Sequence, residues 1–306
     1  MFFSASFLLS AVLGVLLDRW LGEPRRWHPL AGFGLLAQRA EGLFRRGAPG
    51  HPTGNRLRGI LAWGVIVLPF VTLAFLFRHP LIDALLLWFS LGGRSLGEHA
   101  RAVADPLASG RLDDARRAVG SLVSRETASL DETAAATATV ESVLENGNDA
   151  VFATLFWFCV AGGAGALLHR LANTLDAMWG YRDDRRLYFG WAAARIDDLL
   201  AYLPARLTAL TYALLGRTGD ALACWRTQAA CWPGTNPGVV MAAGAGALNL
   251  RLGGAARYHG REEHRPLLGV GEAAQAADIS RALCLVERGQ WLWLLFIVLG
   301  WGLRHA

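Results

Sequence analysis

Residues 59–77 read GILAWGVIVLPFVTLAFLF, nineteen positions without a charge, bracketed by Arg56 and Arg58 on one side and Arg78 on the other. As a helix at about 1.5 Å per residue, this run nearly matches the roughly 30 Å hydrocarbon core of a bilayer. It predicts a membrane helix. Working outward, Met1 to Leu17 is apolar or small and has no arginine before it, so it lacks the basic start of a cleavable signal and predicts a retained membrane helix. Leu81 to Leu91 is shorter and carries Asp83, which predicts a tilted span or a buried helix. Ala150 to Leu168 is long enough to cross, and Gly162, Gly163 and Gly165 in it permit close helix contact or a bend. Leu199 to Leu215 carries Pro204 and Arg206, the pattern of a broken helix. Trp291 to Leu303 closes the series, which predicts about four to six membrane elements.

Composition agrees. Of 306 residues, 53% are hydrophobic and 18% charged, and mean hydropathy is +0.30. An ordinary soluble domain carries about 25% charged residues, so a globule wetted all round is excluded, and disorder with it. All 30 basic residues are arginine, which removes Schiff-base chemistry and a phosphate-loop lysine. The net charge of +5 suits anionic lipids or anionic substrates, whereas arginines scattered between apolar blocks do not form the stripe that nucleic acid needs. The four cysteines make no C-x-x-C pair, so no zinc site or disulfide framework is indicated. Asp113 to Val123 has the stripe of an amphipathic helix, and no stretch alternates long enough for a barrel strand. The expected fold is an all-α polytopic integral membrane bundle with amphipathic and broken helices. It is one domain over 1–306, with a polar cytoplasmic helical insertion at about 94–149.

Arginine placement sets the orientation. Eight arginines fall between Asp18 and Arg58, which puts that loop in the cytoplasm. If Leu81–Leu91 and Ala150–Leu168 both crossed, the arginine-rich stretch Arg170 to Arg195 would land outside, so one of the two is expected not to cross.

The chemistry concentrates in a polar seam at every fourth position, Thr133, Thr137, Glu141, Glu145 and Asp149. These side chains stack on successive helical turns, where like charges repel, and a divalent cation answers that repulsion. A solvated helix face is the competing explanation. Asn173 and Asp176 share a helical face, followed by Tyr181, Arg182, Asp183, Asp184, Arg185 and Arg186, the last four of which also suit a charged turn. Arg195, Asp197 and Asp198 precede the Pro204 break, and Arg206 on an apolar helix calls for an anion, a phosphate or an internal aspartate. Ser124, Arg125, Glu126 and Thr127 offer a guanidinium, a carboxylate and hydroxyls at what also reads as a helix cap. Gly269-x-Gly271-x-x-Ala274 has no strand before it and reads as a turn or packing glycines. His259 and His264 flank Glu262 and Glu263, a weak metal pattern that a loop explains as well.

Taken in order, these motifs resemble those of the adenosylcobinamide-phosphate synthase family, membrane enzymes of cobalamin assembly. Leu21-Gly22-Glu23-Pro24 with His28-Pro29 resembles its L-G-D-P…H-P signature, with Glu for Asp. Ser95-Leu96 with His99-Ala100 resembles S-L…H-A, Ser124 to Thr127 resembles G-R-D-T, and Glu145 to Asp149 resembles E-N-x-x-D. Asn173 to Tyr181 resembles N-T-L-D-S-M-x-G-Y. Ala194 to Asp198 followed by Pro204-Ala205-Arg206-Leu207 resembles A-R-x-D-D…P-A-R-L. The chain departs where the family often has S-P-N-A-G-x-P-E-A-A. Here Asn236 and Gly238 match, and Met241 replaces the glutamate.

The resemblance implies a ligase that uses ATP to join a propionate carboxylate of adenosylcobyric acid to aminopropanol or its phosphate. It implies a multi-pass protein of the inner, cytoplasmic membrane, with its site facing the cytoplasm. On this reading Glu145, Asp149 and Asp176 hold Mg²⁺ and ATP, and Arg125, Arg195 and Arg206 hold phosphates and corrinoid carboxylates. Glu126 or Asp198 accepts the ammonium proton. His28, Thr127, Asn146, Asn173, Tyr181, Asp197 and Asn236 complete the expected contacts. Membrane lipid is a further expected partner, an oligomer is open, and nucleic acid is not expected. A membrane transporter or binding protein for an anionic metabolite, built on the Pro204 break and Arg206, is the alternative.

Overall fold

The computed structural model describes residues 4–24, 29–45, 51–123, 125–181, 186–258 and 260–305. His28, Ser124, Arg182, Asp183, Asp184, Arg185 and His259 lie outside the described residues. The chain divides into two compact units, Met1–Gly92 with Ala153–Ala201 and Ile297–Ala306, and Gly93–Phe152 with Tyr202–Phe296.

In the first unit, α1 (Ala5–Leu21) opens where the Ser4 hydroxyl accepts from the Phe7 N–H at 3.2 Å. It packs on α4 (Pro80–Ser90) because Gly14 leaves room for Leu87, whose side chain would lie 2.8 Å from a Cβ there. α2 (Pro29–Arg45), α3 (Pro52–Leu76) and α9 (Gly163–Trp179) enclose a core of Phe33, Trp63, Ile66, Leu171, Leu175 and Trp179. The uncharged run 59–77 therefore forms most of α3. Among the described residues, this helix and residues Ala276–Gly300 of α13 (Ala276–His305) are the two that are long and apolar enough to cross a membrane.

Of the other expected spans, α1 and α4 are as long as the sequence runs that predicted them, and Ala150–Leu168 is cut short. α1 has 17 residues, α4 has 11 and α8 (Ala153–Ala161) has 9. Gly162 sits at φ +68°, where L side chains are strained, and the chain turns there into α9, so the run Ala150–Leu168 bends as its glycines allow. Neither α4 nor α8 alone has the length of a span. Arg56 before the apolar part of α3 and Arg186 and Arg195 after α9 line one cavity, so they lie at the same end of the unit.

Helix α10 (Trp191–Leu215) corrects a second expectation, because it runs unbroken through Pro204. Proline removes the hydrogen bond that residue 204 would give to Leu200. The Leu200 carbonyl accepts instead from the Trp157 indole at 2.9 Å, and with that acceptor satisfied the helix continues.

The second unit holds α5 (Gly93–Ala108), α6 (Leu112–Val119), α7 (Glu132–Gly147), α11 (Thr218–Gln228) and α12 (Pro237–Leu248). α12 is buried along its length, with Gly244 against Leu144 and Gly246 against the Asp220–Ala221 backbone. Here the all-α expectation fails in part. β1 (Leu250–Tyr258) pairs antiparallel with β2 (Arg261–Gly269), and β3 (Glu272–Ala273) adds a short parallel edge to β1, giving the order β2-β1-β3. Alternation is hidden because Gly253 and Gly254, at φ +86° and +81°, bulge β1 between Leu252 and Gly254 and shift its register. His264, Glu262 and Glu263 therefore stand on a strand and not in a loop. Gly269 packs on the Leu250 carbonyl with no room for a Cβ, the packing role open to it from sequence.

Candidate functional site

The polar seam runs down α7 into the interior of the second unit. Thr133 is exposed, Thr137 and Glu141 are buried, and Glu145 and Asp149 are half-buried, so a solvated face describes only its first turn. Glu141 is fully engaged. One carboxylate oxygen accepts from the Gly253 N–H at 2.8 Å, and the other from Arg265 at 2.8 Å and from Arg125. The three side chains are 4%, 11% and 7% exposed. Two guanidiniums thus share one buried carboxylate. Arg265 also donates to the Gly253 and Gly254 carbonyls and stacks on Trp232 with its guanidinium carbon 5.2 Å from the ring centre.

This ion cluster borders a cavity of about 260 Å³ lined by Arg125, Glu145, Asn146, Trp232, Tyr258 and Arg265. Burial raises the Glu145 carboxyl from 4.5 to about 7, Asp149 and Glu141 push it further in that direction, and Arg125 and Arg265 oppose them. Asn146 donates to the Ser142 carbonyl at 2.9 Å. After Gly147 the helix widens into one π-turn, Asn148–Phe152, a feature often found at functional sites. The Asn148 side chain is fixed there, donating to Asp149 at 2.8 Å and accepting from Thr208 at 2.9 Å. The Tyr212 hydroxyl donates to the Leu144 carbonyl beside the turn.

Arg125, Glu126 and Thr127 do not open a helix; Asp131 caps α7 by accepting from the Ala134 N–H at 2.7 Å. The segment docks on the hairpin, where the Glu126 N–H donates to the Arg257 carbonyl at 2.9 Å and the Glu126 carboxylate accepts from the Gly260 N–H. Thr127 is half-buried behind it. The aspartate partner considered for Arg206 is not found among the described residues. Its guanidinium donates to the Asn236 side chain at 2.6 Å and the Thr235 carbonyl at 3.0 Å and lies over the Tyr202 ring, all neutral groups.

The remaining expected residues belong to the first unit. Asn173 and Asp176 are half-buried on α9, and the Asp176 carboxylate lies so close to Gly180 that a Cβ there has no room. Tyr181, Arg195 and Asp198 line the cavity that also contains Arg56, Arg195 pairs with Asp198 at 3.5 Å, and Asp197 is half-buried beside them. Among the described residues, no group of three or more His, Cys, Asp and Glu side chains gathers as a metal site.

The family described as CobD/Cbib protein matches residues 11–286. The chain is 56% identical over 288 residues to the cobalamin biosynthesis protein CobD of Chromobacterium violaceum, covering 92% of both chains. It is 57% identical over 300 residues to the protein of the same name from Stutzerimonas stutzeri, covering 96% of this chain and 98% of that one. It is 40% identical over 288 residues to that of Mycobacterium tuberculosis, covering 90% of each. This chain belongs to the CobD/CbiB family. No solved structure matches it.

For this CobD/CbiB chain the motif departure has a place, because the buried Met241 lines the second unit's cavity. Sequence reasoning singled out Arg125, Glu145 and Asn146 but missed Arg265 and Trp232. Arg265 faces Gly254 in the ladder and reaches Glu141 only because that register places it there. Once the hairpin was read as loop, no signal could find it. Glu141 was visible in the seam, though its pairing was not.

Proposed function

We propose that this chain is a cobalamin biosynthesis enzyme that joins aminopropanol or its phosphate to adenosylcobyric acid in an ATP-dependent amide ligation at the second unit's cavity. The observation that carries the reading is the Glu145 carboxyl, lifted to about 7 beside Asp149, with two guanidiniums on the same cavity wall. Two carboxylates that repel one another favour a divalent cation, and Mg²⁺ prefers a few carboxylates with phosphate oxygens. Glu145 and Asp149 fit that requirement and would hold it. Bound there, the ion would neutralise nucleotide phosphate charge. Asp176, the third expected ligand, stands in the first unit.

Ligation needs an activated carboxylate, compensated phosphate charge and a desolvated amine. Arg125 and Arg265 supply positive charge at the wall, and Arg206, which among the described residues meets only neutral groups, supplies another guanidinium for phosphate or a corrinoid carboxylate. Glu126, exposed and next to Arg125, remains the proposed acceptor of the ammonium proton, while Asp198 belongs to the first unit. Support for a membrane setting comes from α3 and residues Ala276–Gly300, and we place the enzyme as a multi-pass protein of the cytoplasmic membrane with this cavity facing inward.

The test is mass spectrometry of membranes incubated with adenosylcobyric acid, Mg²⁺, ATP and aminopropanol phosphate. The condensed product is expected, and Glu145→Gln should lower its rate at least tenfold. Full product formation by that variant would remove the cation assignment. No product, with corrinoid moving across vesicles instead, would establish the transporter reading.

A further inference from the structure

The first unit carries a cavity of about 400 Å³ that includes Tyr181, Arg195 and Asp198 and to which the ligation reading above assigns no step. Among the described residues, three guanidiniums line it, from Arg56, Arg186 and Arg195, against one carboxylate, Asp198. Arg186 leans on Glu41, which lies 3.5 Å away and also pairs with Arg45 at 2.8 Å. Arg195 meets Asp198 at 3.5 Å. Arg56 has no carboxylate partner among the described residues. Its guanidinium carbon lies 5.7 Å from the Tyr188 ring centre and 5.4 Å from that of Trp191. Arg186 lies 5.9 Å from the Tyr181 ring.

The arrangement is held rigidly. One turn beyond Arg56, Gly59 touches the Phe189 carbonyl with no space for a Cβ, and Gly190 touches the Trp179 carbonyl in the same way. The walls are locked by backbone contact, which keeps the stacked guanidinium in place before any ligand arrives. The position is equally specific. Arg56 stands just before the apolar run of α3, a helix long enough to cross a membrane, and the lining residues Leu187, Trp191 and Tyr181 are exposed. Arginine, tyrosine and tryptophan at the end of an apolar helix are the groups that meet phosphate at a bilayer surface.

We propose that this cavity is a phosphate-binding site for an anionic ligand at the membrane surface, with Arg56 as the cation that no described carboxylate pairs. An anionic phospholipid headgroup and a soluble phosphate ester present the same chemistry, and the membrane position favours the lipid. The test uses the full-length protein in neutral detergent and counts bound lipid by native mass spectrometry with phosphatidylglycerol or phosphatidylcholine. Phosphatidylglycerol should be retained at least fivefold over phosphatidylcholine, Arg56→Gln should abolish the preference, and Arg56→Lys should keep most of it. Arg117→Gln, which removes one exposed charge from the second unit, should leave it unchanged. If Arg56→Gln does not fold, Trp191→Ala should show the same loss.

A second arm follows the melting temperature with inorganic pyrophosphate. A rise that depends on Arg56, without lipid preference, would assign the site to a soluble phosphate ester. The absence of both the lipid preference and the pyrophosphate shift, or an equal loss in Arg117→Gln, would overturn the proposal. Product formation is not the readout, so the outcome is independent of the ligation reading.

Discussion

Two glutamates one turn apart on α7 should respond oppositely to substitution. Glu141 accepts from both arginines and the Gly253 N–H at nearly complete burial. Removing one partner of a buried ion cluster leaves uncompensated charge, so Glu141→Ala should cost about 3–5 kcal/mol, read as an earlier unfolding transition in detergent. Glu145 carries the opposite balance. Its folded value of about 7 lies above the ordinary 4.5, so the folded state favours the protonated form. Ionisation therefore destabilises the protein progressively as pH rises from about 4.5 to 7, and the loss is complete above 7. Glu145→Gln should raise the melting temperature at pH 8 and leave it almost unchanged near pH 4.5. A variant that melts earlier than the parent at pH 8 would show Glu145 to be ionised and held by the arginines. The four-residue spacing disclosed that these carboxylates share a face. It could not disclose that Arg265, more than a hundred positions away, closes on one of them while burial raises the other.

At the scale of elements, the legible features were those set by local rules. Gly162, Gly163 and Gly165 announced a bend or close contact, and both occur because a turn at φ +68° and a contact with the Trp157 carbonyl each require glycine. The hairpin was illegible since two bulging glycines erased the period of β1. The break expected at Pro204 was also absent, for a reason outside any local window: a tryptophan from α8 occupies the carbonyl that proline leaves unbonded. That explanation is testable by a double-mutant cycle. Trp157→Phe leaves the Leu200 carbonyl without this donor and should cost about 1–2 kcal/mol. In a Pro204→Ala background, residue 204 regains its N–H and supplies the intrahelical bond, so the same change should cost about 1 kcal/mol less. Equal costs in both backgrounds would mean that the indole contributes packing only.

Over the whole molecule, low charge and arginine distribution predicted a membrane protein, while the number of crossings depends on element lengths that hydropathy alone misjudges. An apolar run interrupted by a glycine turn looks like a span in sequence and folds as two shorter helices, as Ala150–Leu168 does across Gly162. The most direct test of the membrane setting is α3. Its 25 residues place Arg56 and the residue after its end about 30 Å apart along the axis, near the thickness of a hydrocarbon core. A separate cavity of about 340 Å³ containing Arg78 and His79 lies beyond the far end of that helix, while the phosphate cavity with Arg56 lies at the near end. In a chain whose Cys159, Cys224, Cys231 and Cys284 are replaced by serine, a cysteine at Arg56 should react with an impermeant maleimide only from the cytoplasmic side, and one at His79 only from the opposite side. A cysteine at Arg186 should follow Arg56, because the two line one cavity. Labelling of Arg56 and His79 from one side would mean that α3 lies within the protein or along the membrane surface. The burial of one third of its apolar window opposes that outcome, since the remaining two thirds needs lipid or another apolar covering.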